Sequence, residues 1–118
     1  MAKSFEDLIV WQKAMDLVIE VYRLIRYLPK EETYAMADQL RRSAVSIPSN
    51  IAEGQQRGSK QETIRFSAIA RGSAGELQTQ LLLCERLSYV TKEQLSTALD
   101  LTLQVNKMLT ALITHLSR

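Results

Sequence analysis

The chain is short of almost everything from which chemistry at a site is built. Its 118 residues include one histidine, one cysteine, two prolines and four glycines. A lone Cys84 cannot close an internal disulfide, which fits a reducing compartment and predicts a cytoplasmic protein. His115 has Leu112 three residues before it, so the Glu-x-x-His pairs of carboxylate-bridged metal bundles are missing. No GxxxxGK loop is present, and Gly72 to Gly75 falls inside a helical pattern rather than a phosphate cradle. No apolar run reaches the roughly 18 residues of a membrane span. The opening MAKSFEDLIV lacks a basic stretch followed by an apolar one, so no secretory signal is expected. These absences predict no catalytic residue, no metal, no cofactor and no small-molecule substrate.

What is present is helix, four times over. Helix one is expected over 5–28, capped by Ser4, with Asp7 near the positive end of its dipole and Pro29 as its stop. It carries two apolar seams of three-four spacing: Leu8, Trp11, Met15, Val18, Tyr22, Ile25, and Val10, Ala14, Leu17, Val21, Leu24, Leu28. Two seams reach two neighbours. Helix two is expected over 33–56. Leu40, Ala44, Ile47 and Ile51 keep one phase on both sides of Pro48, which predicts a single helix kinked at that proline. Ser46 or Ser49 is expected to bond the freed backbone.

Gly58 suits the positive φ of a helix end, and Ser59-Lys60-Gln61-Glu62 reads as a capping box. Helix three should then run to 89 with a core stripe of Phe66, Ile69, Ala70, Ser73, Leu77, Leu81, Cys84 and Leu87. A second stripe holds small residues, Ala68, Gly72, Gly75 and Thr79. Each mid-helix glycine costs about 0.5–1 kcal/mol against alanine, and close approach of another helix backbone is the gain that offsets it. Thr91-Lys92-Glu93-Gln94 is another capping box, opening helix four. Its seam is Leu95, Ala98, Thr102, Val105, Leu109, Leu112 and Leu116. Leu101 and Met108 widen one flank, and Leu99, Leu103 and Ile113 the other. That is too much apolar surface for one seam, so contacts between copies are expected. Three short connections favour an antiparallel up-down-up-down four-helix bundle, all-α and one domain over 1–118.

Net charge is small but unevenly spread. Residues 39–71 hold six Lys/Arg against two Asp/Glu, whereas 1–38 hold five against seven. Local excess of this kind attracts nucleic acid or acidic protein. Arg57, Lys60 and Arg65, at the tip of the hairpin between helices two and three, are the expected phosphate contacts. Arg41 and Arg42 are weaker candidates: Arg41 is expected opposite Glu76, and Asp38 with Arg42 forms an i, i+4 pair, as do Glu53 and Arg57. Trp11, Tyr22 and Phe66 occupy seam positions and read as core rather than as a platform for bases. Cys84 reads as core, away from the positive charge that activates thiols. An enzyme site assembled between subunits from Glu76, Arg71 or Glu62 lacks an activated nucleophile.

Three stretches, FEDLIVWQKAMDL, QLRRSAVSIPSNIAEG and RFSAIARGSAGELQTQL, occur in this order. With them the chain resembles the four-helix bundle proteins encoded in intervening sequences of bacterial 23S rRNA genes. The likeness spans roughly residues 5–90; helix four matches in pattern more than in letters. It implies a homopentameric barrel of bundles, an architecture shared with the accessory variability proteins of diversity-generating retroelements, which bind a reverse transcriptase and RNA. It brings no catalytic residue. The combined expectation is a non-enzymatic homo-oligomeric scaffold that binds RNA or a nucleic-acid-processing protein, with a purely protein-binding regulatory module as the alternative. Ala68, Gly72, Gly75, Thr79, Leu99, Leu103 and Ile113 are its expected contacts between copies.

Overall fold

A computed structural model describes residues 4–118, which form four α-helices and two short 3-10 turns, with no strand among them. The helices are α1 (Ile9–Ile25), α2 (Met36–Gln56), α3 (Lys60–Arg86) and α4 (Lys92–Leu116). Each packs against two others: α1 on α2 and α4, and α3 on α2 and α4. This closed ring of four measures 43 × 22 × 20 Å.

The helix ends show how the local sequence works. Ser4 does accept a bond, from the Glu6 amide at 3.1 Å, but it caps the 3-10 turn Phe5–Asp7. Leu8 is extended, so α1 begins at Ile9 rather than at residue 5. Helix one ends at Ile25, three residues short of 28, and tightens through i, i+3 bonds at residues 26–28 before Pro29 leads into the 3-10 turn Lys30–Glu32. Helix two starts at Met36, later than 33, because no side chain at Ala35 caps it; the Glu32 carboxylate accepts from the Met36 amide instead, at 3.4 Å. It then runs unbroken through Pro48 to Gln56. Ser46 bonds neighbouring side chains there: its hydroxyl lies 2.8 Å from that of Ser73 and accepts from Asn50 Nδ2 at 2.9 Å.

Gly58 takes a φ of 77°, the left-handed value that ends α2. Only half of the Ser59 capping box forms. Ser59 Oγ accepts from the Glu62 amide at 3.1 Å, but the Glu62 carboxylate turns to arginines. The Thr91 box is complete, with Gln94 Oε1 accepting from the Thr91 amide at 3.0 Å. Helix three ends at Arg86, three residues early, in a Schellman turn: the Tyr89 amide reaches Cys84 O and the Ser88 amide reaches Glu85 O, both at 2.9 Å. Ser88 occupies the left-handed position at φ 63°.

The core follows one seam of α1, Val10, Ala14, Leu17, Val21 and Leu24, all buried. The other seam goes inside only in part: Leu8, Trp11, Val18 and Ile25 are half-buried against the core, while Met15 and Tyr22 stay exposed. Helix four buries Leu95, Ala98, Thr102, Val105 and Leu109, as the spacing predicts. Helix three departs in its first half. Its buried face is Ser67, Ala70, Ala74, Leu77, Gln80, Leu81 and Cys84, whereas Ile69 and Leu87 are exposed. A buried Ser43 hydroxyl donates to Gln80 Oε1 at 2.7 Å, so the polar residues on this face satisfy one another across α2 and α3. The two helices of the hairpin come close at Gly54. A Cβ there would stand 2.9 Å from Phe66 Cβ and 3.2 Å from Glu62 O. Only glycine fits.

Candidate functional site

The hairpin between α2 and α3 gathers the expected phosphate contacts, but not as free cations. Arg57 donates from Nε to Glu53 Oε2 at 3.0 Å, and its Nη1 lies 3.4 Å from Glu62 Oε1. Arg65 reaches the other Glu62 oxygen, also at 3.4 Å. Both guanidinium groups stand over the Phe66 ring, 4.9 and 5.2 Å from its centroid. So an aromatic does lie within the basic hairpin, contrary to the reading of Phe66 as plain core. Each pair is about half exposed and worth at most about 1 kcal/mol, so a phosphate can compete for these arginines. Lys60 opens α3 exposed, with no carboxylate partner among the described residues.

Arg42 pairs with Asp38 at 3.3 Å on an exposed surface, as the spacing predicts. Arg41 does not pair with Glu76. Its guanidinium carbon sits 6.0 Å from the Tyr22 ring centroid on α1, and Nη1 donates to Thr33 O at 3.5 Å. The register explains the miss: Ser43 stands against Gln80, which carries Arg41 past the level of Glu76 and toward α1.

The expected contacts between copies fall on the outside. Ala68, Gly72, Gly75 and Thr79 are all exposed, and a Cβ at Gly72 or Gly75 would meet nothing within 4 Å. The two glycines therefore answer no need inside the chain. On α4, Leu103 is exposed, while Leu99 and Ile113 are half-buried. An apolar hollow of about 390 Å³ opens between the end of α3 and the first half of α4, over Leu95, Leu99 and Leu103, with Glu85, Lys92 and Asp100 around it. On α1, Ile19 projects between two further hollows, one also walled by Tyr22, Arg23 and Arg26. Met15, Ile19 and Tyr22 were legible as apolar and evenly spaced, but Ile19 belonged to neither seam.

Two titrating groups depart from their ordinary values. Burial pushes the Cys84 thiol up to about 11, with the Glu32 charge adding to it. Such a thiol is inert, in keeping with its place in the core. Tyr89 donates its hydroxyl proton to Glu32 Oε2 at 2.6 Å, and that bond raises its pKa. This bond ties the end of α3 to the turn between α1 and α2. Among the described residues no group of three His, Cys, Asp or Glu is placed to hold a metal. No helix is long and apolar enough to cross a membrane.

Four helices, an aliphatic core and an outer surface rich in unburied apolar side chains define an all-α protein of the four-helix type. Residues 6–111 match the model of the 23S rRNA-intervening sequence proteins, and the chain belongs to that family. It is also similar, at 30% identity, to a crystal structure of a protein of unknown function from the S23 ribosomal protein family of Bacteroides thetaiotaomicron. That likeness covers 89% of this chain and 98% of the other, with a TM-score of 0.82. Among curated proteins, none matches.

Proposed function

We propose that this chain is a non-enzymatic, cytoplasmic homo-oligomeric scaffold or adaptor that binds RNA or a nucleic-acid-processing protein. In this reading it is one domain, an up-down-up-down bundle bent at Pro48, assembling as a pentamer. The contacts Gly54 with Thr63, Ser46 with Ser73, and Ser43 with Gln80 support antiparallel packing of α2 against α3. One observation carries the oligomer: the large apolar side chains left outside include Ile19, Tyr22, Ile69, Leu83 and Leu103, each at least 41% exposed. They recur along α1 and α3, with Leu103 alone on α4. The exposed small-residue stripe of α3 supports the same reading, since another backbone approaching it would use the missing Cβ atoms.

Nucleic-acid contact rests on Lys60, Arg57 and Arg65 beside Phe66, with Arg41 and Arg42 further along α2. A specific observation favours the alternative, a purely protein-binding regulatory module: four of these five cations are already held by a carboxylate, an aromatic ring or a backbone carbonyl. Light scattering of the purified protein, with titration of structured RNA at rising salt, separates the two. The scaffold gives a stable oligomer whose RNA affinity falls with salt and weakens when Arg57, Lys60 and Arg65 are all replaced by Ala. A stable monomer would remove the assembly. An oligomer indifferent to RNA at low salt would leave the protein-binding module.

A further inference from the structure

Three of the four tyrosines stand in water at the end of the bundle where α1 turns into α2. Tyr22 on α1 is 46% exposed, Tyr27 just beyond it 55%, and Tyr34 in the following turn 95%. Cations lie between them. Arg41 reaches across from α2 to stand 6.0 Å from the Tyr22 ring centroid, and its Nη1 donates at 3.5 Å to the carbonyl of Thr33, next to Tyr34. Arg23 and Arg26 wall the hollow of about 420 Å³ beside Tyr22, and both also wall a smaller one, about 190 Å³, beside Tyr27. The order around this end is therefore Tyr34, Arg41, Tyr22, then Arg26 with Arg23, then Tyr27. Ring and cation alternate.

Most acids of this end are committed. Glu20, in the wall of the Tyr27 hollow, is bound by Arg23. Glu32 accepts from the Met36 amide and the Tyr89 hydroxyl, and Asp38 pairs with Arg42. Glu31 is exposed beside Lys30. Asp16 walls a hollow that Tyr22 does not reach. Arg26 donates to the Arg23 carbonyl, at 3.4 Å, and neither it nor Arg41 has a carboxylate partner among the described residues. Open rings that alternate with free cations fit a ligand whose flat faces alternate with charged links. Single-stranded nucleic acid is such a chain, and a duplex is not, because pairing and stacking hide its base faces. We infer that a single strand of RNA crosses this end of the bundle, its bases stacking on Tyr22, Tyr27 and Tyr34 and its phosphates meeting Arg26 and Arg41. The inference rests on the RNA-binding reading above and gives it a site about 24 Å along α2 from Arg57, at 1.5 Å per residue. Tyr22 then stays open in the assembly, which leaves Ile69, Leu83 and Leu103 for contact between copies.

The test is fluorescence anisotropy of the full chain with labelled oligouridylate and with duplex RNA of equal length. Tyr22, Tyr27 and Tyr34 are each replaced by Ala and by Phe, and folding is checked by circular dichroism. Tyr34→Ala removes a side chain that is almost wholly in water, so its effect on binding is free of any effect on packing. Oligouridylate is expected to bind tighter than the duplex. Each Ala variant should weaken it about tenfold, and each Phe variant, which keeps the ring, should hold it. Arg26→Ala and Arg41→Ala should flatten its salt dependence. RNA binding lost in the Arg57, Lys60 and Arg65 triple variant but untouched by the tyrosine variants would overturn this site while leaving the RNA reading. Phe variants as weak as the Ala ones would overturn stacking. A polyglutamate peptide bound as tightly, and lost in the same variants, would make this end a site for acidic protein instead. No RNA bound even at low salt would sink the RNA reading itself.

Discussion

The α2–α3 hairpin and the outer flanks of α1 and α4 are built to different standards. Along the seam where α2 faces α3 the polar groups have partners, although Val45, Ile69, Leu82 and Leu83 are exposed on the outside of the same hairpin. Gly54 lets Phe66 and Glu62 approach, Ser43 meets Gln80, Ser46 meets Ser73 and Asn50, and Arg57 and Arg65 share Glu62 above one ring. Along α1 and α4, Met15, Ile19, Tyr22 and Leu103 meet water, and hollows open between them. The first region holds the chain together by itself. On the proposed reading, another copy or a partner covers the second. Stability and recognition then separate in space, and substitutions in the two regions should separate too.

The largest effect belongs to the closed region. Leu77→Ala, at a side chain with no exposure, should cost about 2–5 kcal/mol in urea unfolding. A loss below 1 kcal/mol would mean that the core is not where α3 places it. Gly54→Ala comes next. The new methyl would meet Phe66 Cβ at 2.9 Å and the Glu62 carbonyl at 3.2 Å, so the two helices must part, at about 1–3 kcal/mol. A neutral Gly54→Ala would make the hairpin as loose as the flanks. Gly75→Ala carries the opposite sign: in a single copy it should stabilise α3 by about 0.5–1 kcal/mol, since nothing lies within 4 Å of the added Cβ. If the same variant loses assembly, the stripe belongs to the contact between copies.

The smallest effect is a dependence on pH. The Cys84 thiol stands raised from 9.0 to about 11, because the fold disfavours its ionised form. Its contribution to stability is complete below pH 9 and is lost as pH climbs toward 11, where the unfolded chain gains more by releasing the proton. Tyr89 acts in the same sense from 10.0 upward through its bond to Glu32. Unfolding midpoints should be level from pH 7 to 9 and fall above that. Cys84→Ala should remove the first part of the fall and Tyr89→Phe the later part.

How much of this was legible in the letters follows the type of side chain. Aliphatic periodicity placed α4 and one seam of α1 correctly, because Leu and Val buried at three-four spacing have one sensible direction. It misjudged the first half of α3, where Ser67, Ala74 and Gln80 go inside and Ile69 stays out. Small and polar residues enter there because α2 lies too close for large ones, a constraint set by Gly54 and Ser43 on another helix. Gly54, inside the expected span of helix two, is thus a packing residue. Spacing found the Arg42–Asp38 and Arg57–Glu53 pairs, which lie within one helix. It missed Arg41 over Tyr22 and Arg57 over Phe66, since contacts between helices depend on register, and register depends on the packing of residues such as Gln80.

The hidden sulfur of Cys84 has one more use. With no surface of its own, it meets an alkylating reagent only while the bundle is parted around it. Because the chain holds no second thiol, each labelled molecule counts one such breathing event. The molecule carries a clock for its own opening, readable by mass without any added dye.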